Sequence, residues 1–160
     1  MYLELENTLW SQTSEYALRA TTYIARFGEN APVLAREIAD DLGISHQYLQ
    51  KVLRGLVLAG ILRSSRGTHG GFRLCRPATR VSLLEVIQPF DQSVSQSMCP
   101  FGNPHCGERN PCPVHEEWSK VSNAVQAFLK KTTLADLAAQ PNRWVRRKGK
   151  RKATKRGKRG

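Results

Sequence analysis

Residues 45–76 read SHQYLQKVLRGLVLAGILRSSRGTHGGFRLCR, and two periodicities follow one another within them. Leu49, Val52, Leu53 and Leu56 recur at the three- and four-residue spacing of one helix face. His46, Gln47, Gln50, Lys51 and Arg54 fall on the opposite face. Ser45 stands where a helix N-cap is expected, and Gly60 where the helix should stop. Beyond it, ILRSSR and GFRLCR are short strand-like runs joined by GTHGG, a tight glycine-rich connection.

Two further helices precede this stretch. In SEYALRATTYIARFG, Tyr16, Ala20, Tyr23, Ile24 and Phe27 repeat at helical spacing, with Ser14 as the expected cap and Gly28 as the stop. In APVLAREIADDLGIS, Leu34, Ile38 and Leu42 share one face and Gly43 closes the helix. Two helices across a short glycine turn, the second polar and basic on its outer face, form a helix-turn-helix pattern. An ordinary helical hairpin with a solvated face would read the same way. A hairpin directly afterwards turns the pattern into that of a winged helix, and the wing is rich in arginine: Arg63, Arg66, Arg73 and Arg76. Arginine suits a narrow minor groove, and glycine lets the backbone approach a phosphate closely. The expected contacts to double-stranded DNA are therefore Ser45, His46, Gln47, Tyr48, Gln50, Lys51 and Arg54 on the helix, with Arg63, Arg66, Thr68, His69 and Arg73 on the wing. Of these, Gln47, Gln50, Lys51 and Arg54 read bases, while Ser45, Tyr48 and the wing arginines position phosphates.

Downstream, Ser82-Leu-Leu-Glu85 reads as a capping box opening a short helix, and Thr133 to Asp136 begins another. Between them, EEWSKVSNAVQAFLKK sets Trp118, Val121, Val125 and Phe128 along one seam of a long helix. Packing within the same subunit would also produce such a stripe. Because the winged helix already has a core, a homodimer is the economical expectation, and two-fold symmetry suits a palindromic operator. The expected fold class is mainly α with a small β-hairpin wing, a winged helix-turn-helix followed by a long dimerisation helix. The expected divisions are an N-terminal extension at 1–10, the DNA-binding domain at 11–90, a cysteine-rich loop at 91–115, dimerisation and C-terminal helices at 116–140, and a basic tail at 141–160.

The loop carries three of the four cysteines in the arrangement C-x6-C-x5-C-x2-H, from Cys99 through Cys106 and Cys112 to His115. Thiolates are soft ligands for iron–sulfur clusters and zinc. Pro100, Pro104, Pro111 and Pro113 stiffen the segment, lowering the entropy lost when three sulfurs converge. The lack of a C-x2-C pair argues against the common zinc-ribbon spacing, although a Cys3His zinc site and metal-free redox thiols both remain open. For a fourth ligand, His115 lies beside the loop, His105 should point away when Cys106 points in, and Glu15 reaches only from a partner subunit. Cys75 is expected to be an inert small apolar residue of the wing strand.

Charge is segregated. The net charge is +12, yet eleven of the 25 Lys and Arg residues lie from Arg143 onward, where no Asp or Glu occurs. Residues 1–142 keep 14 basic against 13 acidic side chains. So charged and so poor in apolar residues, the tail is expected to be disordered and to attract phosphate without sequence preference. The opening MYLELENTLW has acids and no apolar run, and no segment nears the ~20 apolar residues of a membrane span. The expectation is a cytoplasmic protein with reduced thiols and no membrane contact.

Taken together, SEYALRA, GISHQYLQKVLRGLVLAGIL, RGTHGGFRLCRPATRVSLLEVI, the three loop cysteines and TLADL resemble the Rrf-two family of bacterial winged-helix regulators, over about residues 12–138. Its iron–sulfur members are the IscR-like and NsrR-like proteins. The resemblance implies homodimers whose recognition helices enter successive major grooves, with a cluster near the dimer helices that repositions the DNA-reading heads. IscR-like members use three cysteines and a histidine for a 2Fe–2S cluster, roles that fall by match on Cys99, Cys106, Cys112 and His115. NsrR-like members hold a 4Fe–4S cluster with an acidic first-helix residue of the partner, the place of Glu15. The six-residue first gap, the ten additional N-terminal residues and the basic tail depart from these relatives. The resemblance favours 2Fe–2S with His115.

The resulting expectation is a transcriptional regulator, more often a repressor, tuned by a cluster that senses redox, nitric oxide or iron–sulfur status. Alternatives are a zinc-bound or thiol-based regulator and a nonspecific nucleic-acid-coating protein driven by the tail. An electron-transfer enzyme is disfavoured: no phosphate loop, dinucleotide fingerprint or nucleophile–base pair is present, and no catalytic residues are assigned.

Overall fold

The computed structural model describes residues 9–67, 69–92, 99, 101–103 and 105–140. Thr68, most of the N-terminal extension and the basic tail lie outside the described residues. In chain order the elements are α1 (Gln12–Phe27), α2 (Ala35–Leu42), α3 (His46–Leu58), β1 (Leu62–Ser65), β2 (Gly71–Leu74), α4 (Leu83–Ile87), α5 (His115–Lys131) and α6 (Leu134–Ala139).

At the centre lies α1, which packs against α3, α4, α6 and β2. Its Ala17, Ala20 and Tyr23 are fully enclosed. Thr21 and Thr22 are enclosed too, their hydroxyls donating to the carbonyls of Ala17 and Leu18 at 2.8 and 2.7 Å. Ser14 is not the cap. Ser11 holds that position and accepts from Ser14 N at 3.2 Å, while Ser14 itself is buried. Two serines three residues apart offer the same hydroxyl chemistry, and burial selects the outer one for the helix end.

Ahead of α2, Leu34 leaves the helical face assigned to it and is 53% exposed. Val33 takes the core position, because its backbone pairs with Phe72 through hydrogen bonds of 3.0 and 2.8 Å and so follows a strand's alternation. A single bridge thereby ties the α1–α2 connection to the wing. In α3, Leu49, Val52, Leu53 and Leu56 are all buried as the spacing required.

The wing is the antiparallel pair β1–β2, with Leu62 opposite Leu74, Arg63 opposite Arg73 and Ser64 opposite Phe72. Gly71 has φ +143°, and a Cβ there would sit 2.6 Å from the Val33 carbonyl. Close approach to the protein's own backbone requires this glycine, whatever the wing touches. Cys75 departs from its expected role: β2 ends at Leu74, and Cys75 is exposed, its amide donating to Ile61 O at 3.0 Å.

Both expected capping boxes form, Ser82 with Glu85 on α4 and Thr133 with Asp136 on α6. Burial pushes the Glu85 carboxyl up, but the Ser82 amide and hydroxyl and the Arg76 guanidinium outweigh it and hold it below its ordinary value. The starts of α4 and α6 are joined by Leu83 N to Thr132 O at 3.0 Å and Leu134 N to Val81 O at 2.9 Å. On α5 only Leu129 is buried; Val121 and Phe128, at 52% and 55% exposed, leave the seam open within one chain. No described helix is long and apolar enough to cross a membrane.

One contact links α3 to the segment that leads toward the cysteine loop. A Cβ on Gly55 would meet the Phe90 ring at 2.6 and 2.9 Å. Alanine there gains about 1 kcal/mol of helix propensity but must displace a ring packed on the core, which costs about 1–3 kcal/mol. Gly55→Ala is therefore expected to lower the melting temperature by a few degrees, about 2–4 °C per kcal/mol at this size. Gly55→Ala combined with Phe90→Ala should cost less than the sum of the two single changes; additive losses would contradict the packing.

Candidate metal centre and nucleic-acid interface

The cysteine loop winds through successive turns: Gly102 N donates to Cys99 O at 3.0 Å, Cys106 N to Asn103 O at 3.2 Å and His115 N to Cys112 O at 3.0 Å. These turns bring Cys99, Cys106 and Cys112 together, their sulfurs all within 4.8 Å of one another. Cys99 Sγ and Cys112 Sγ are 3.5 Å apart. His115, the first residue of α5, places Nδ1 3.2 Å from Cys106 Sγ. Cys112 N donates to Cys106 Sγ at 3.4 Å.

The electrostatics of this cluster are those of crowded acids. Burial raises the Cys99 thiol, yet the amides of Asn103 and Phe101 and the thiols of Cys112 and Cys106 hold it below the ordinary value. Burial raises Cys112, and Cys99 and Cys106 raise it further, against the Val114 amide. Neighbouring thiolates repel, so one cysteine loses its proton early and another keeps it late. A bound cation removes that conflict. The donor chemistry, three soft sulfurs each met by a backbone N–H group and an adjacent imidazole, fits an iron–sulfur cluster or zinc.

Other ligand candidates stand apart. His105 is exposed, and its amide donates to Asn103 Oδ1 at 3.1 Å. Glu15 is not among the gathered donors: it pairs with Arg19 at 3.5 Å and lines a cavity of about 510 Å³ with Trp10, Leu18 and Phe128. Sequence reasoning missed Phe90 and Asp91, which lead into the loop. Asp91 Oδ2 accepts from Ser11 N at 2.8 Å, at the start of α1. A glycine in mid-helix was the available signal for Phe90, since such a residue usually marks a close approach.

On the other surface, His46, Gln47, Gln50, Lys51 and Arg54 are exposed along α3. Ser45 is exposed at the helix start and makes no side-chain cap bond, leaving the first-turn amides open. A concavity of about 390 Å³ adjoins them, lined by Gln12, Tyr16, Ser45, Gln47, Tyr48 and Lys51. Tyr48 is half-buried and pinned, its hydroxyl 2.6 Å from Thr13 Oγ1 and its ring edge-on to Tyr16 at 5.6 Å. On the wing, Arg63, Arg66 and His69 are exposed, while Arg73 is half-buried and donates from Nη2 to Asn30 O at 3.0 Å. Thr68 lies outside the described residues.

Residues 10–140 match the Rrf2 family model, described as an iron-dependent transcriptional regulator. A putative HTH-type transcriptional regulator of Aquifex aeolicus is 33% identical over 131 residues, 81% of this chain and 90% of that one. The HTH-type transcriptional regulator IscR of Vibrio atlanticus is 33% identical over 122 residues, 76% of this chain and 70% of its own. Among solved structures, CymR, the global cysteine regulator of B. subtilis, superposes with a TM-score of 0.69 at 26% identity, covering 80% of this chain and 94% of that one. The IscR of T. potens gives 0.65 at 25% identity, covering 79% and 83%. These relatives are regulators rather than enzymes.

The surface predicts a division of labour. Gln50→Ala should change which DNA sequence binds best, costing about 1–3 kcal/mol on the preferred site. Arg66→Ala should weaken all sequences alike and reduce the log–log salt slope by about 1. Fluorescence anisotropy on specific and scrambled duplexes across salt concentrations checks both, and identical behaviour of the two variants would contradict the assignment.

Proposed function

This chain belongs to the Rrf2 family of DNA-binding transcriptional regulators, and from that premise we propose that it is a homodimeric repressor of a palindromic operator, controlled by an iron–sulfur cluster on Cys99, Cys106, Cys112 and His115. The observation that carries this reading is the convergence of three sulfurs within 4.8 Å, with His115 Nδ1 3.2 Å from one of them. A 2Fe–2S cluster is the form favoured. When bound, such a cluster supplies a centre that oxidants, nitric oxide or iron shortage can alter or remove.

Everything else is the work of this chain's own residues. The His115 ring is held at the first residue of α5, so whatever fixes that ring also fixes the start of the helix. Farther along α5, Val121 and Phe128 offer an exposed apolar strip to a second copy, while Val125 packs against the chain's own core. From the other end of the loop, Phe90 lies on Gly55 of α3 and Asp91 holds the start of α1. The chain entering the loop thus touches the helix proposed to read DNA, and the chain leaving it begins the helix offered to a partner. Coupling follows if the two cluster states favour different placements of the paired heads, by as much as their difference in affinity and no more. The basic tail adds attraction without sequence preference.

Anaerobic purification should yield a brown protein with about two irons and two sulfides per chain. Cys106→Ser and His115→Ala should lose or shift its visible absorption, whereas Glu15→Ala should keep it. Operator affinity should then differ between loaded and stripped protein. One tightly held zinc without sulfide, or equal affinity in both states, would overturn the proposal. Loss of the cluster in Glu15→Ala with retention in His115→Ala would transfer the fourth-ligand role to the partner's first helix.

A further inference from the structure

A second cleft, remote in character from the sulfur site, lies between the end of α1, the base of the wing and α6. Its volume is about 710 Å³, within the range of about 300–1,000 Å³ usual for small-molecule sites. Arg26 of α1, Arg63 of β1 and Arg73 of β2 line it, with Arg76 just beyond the strand, and Glu29 is the acidic residue among them. Arg76 is already matched by Glu85. Leaving Arg26 aside, Arg63 and Arg73 set two positive charges against the one carboxylate of Glu29, an excess of positive charge.

Two details make this excess costly to the protein by itself. Arg63 and Arg73 are direct cross-strand partners, an arrangement in which like charges destabilise a sheet. Arg63 makes no ion pair among the described residues. Arg73 spends Nη2 on the Asn30 carbonyl, while its Nε is enclosed with no acceptor, and buried donors are normally satisfied. An anion between the outer ends of these guanidinium groups offsets the cross-strand repulsion, although the enclosed Nε of Arg73 lies out of its reach, and arginine forks match carboxylate and phosphate oxygens. The lining is also apolar in part, with Ala135, Ala138 and Ala139 of α6 contributing methyl groups. Bare inorganic ions gain nothing from such methyl groups.

We propose that this cleft binds a small organic polyanion, a molecule with at least two acid groups and a short carbon frame, bridging the base of the wing to α6. The wing's position would thereby answer to a ligand independently of the cysteine loop. Nothing in this inference depends on the identity of the metal centre.

Cys75 is an exposed thiol in the lining and reports occupancy directly. The full-length protein is alkylated with iodoacetamide, and the Cys75 peptide is followed by mass, separately from the peptides of the loop cysteines. The probe is tricarballylate, a tricarboxylate lacking the hydroxyl that makes citrate a strong chelator. Cys75 alkylation should slow about tenfold when the probe reaches about ten times its dissociation constant. Sodium chloride at equal ionic strength should not reproduce this effect. Arg63→Ala, on the hairpin, and Arg26→Gln, outside it, should each abolish the protection, so disturbance of the hairpin alone cannot explain both. Equal slowing by sodium chloride, no slowing at all, or protection undiminished in both variants would overturn the inference. Protection by duplex DNA but not by tricarballylate would also overturn it, assigning the cleft to the phosphate backbone.

Discussion

The burial of one face of α3 constrains everything else in the molecule. Leu49, Leu53 and Leu56 are fully enclosed and Val52 nearly so, each contributing about 1.5–3 kcal/mol to keeping the helix against the core. No single polar contact on the outer face competes with that sum. The helix therefore presents Gln47, Gln50, Lys51 and Arg54 in a fixed frame. Control of DNA reading by refolding α3 would forfeit that burial. Control by moving whole heads relative to each other forfeits none of it, which is why the proposed switch is a rigid-body one.

A similar economy governs the cysteine loop. Its turns hold three acidic thiols close enough that Cys99 and Cys112 are driven apart in their tendency to ionise. Once more than one of these thiols ionises, a cation would offset the repulsion between the thiolates, so that metal loading and loop order would reinforce each other. His115 carries the consequence outward. It is a donor beside Cys106 and the first residue of α5, whose side bears the exposed Val121 and Phe128. Under the proposed function, chemistry at one end of α5 and a second copy along its flank would be joined by the backbone of one helix.

Much of the fold was legible because its cues are local. The period of α3, the strand–glycine–strand run of the wing and the two capping boxes each report on a few neighbouring residues, and the structure bears them out. What escaped was decided by distant packing. Ser14 and Ser11 are equivalent as caps until the core claims Ser14. Leu34 and Val33 exchange places because Phe72, thirty-odd residues away in sequence, pairs with Val33. Cys75 turns outward because β2 ends one residue earlier than the apolar run suggested. The gathering of the cysteines was legible in their spacing and the prolines around them. The contact between Phe90 and Gly55 was not, since a mid-helix glycine announces a close neighbour without naming it.

The arginines of the wing carry the last step. Read from sequence they form one basic group, but the structure separates them. Arg76 is spent on Glu85, and Arg73 is tied to the Asn30 carbonyl. Arg66 stands exposed near the tip, and Arg63 faces the cleft beside α6. With Arg73 and Arg76 already engaged within the chain, the proposed reading of DNA would place sequence preference more heavily on α3 than on the wing. A bidentate base contact is worth about 1–3 kcal/mol, so a few such contacts on one subunit give limited discrimination. The proposed two-fold pairing would double the number of base contacts without requiring another residue in the chain, and that gain is what a dimer along the exposed strip of α5 would supply to DNA recognition.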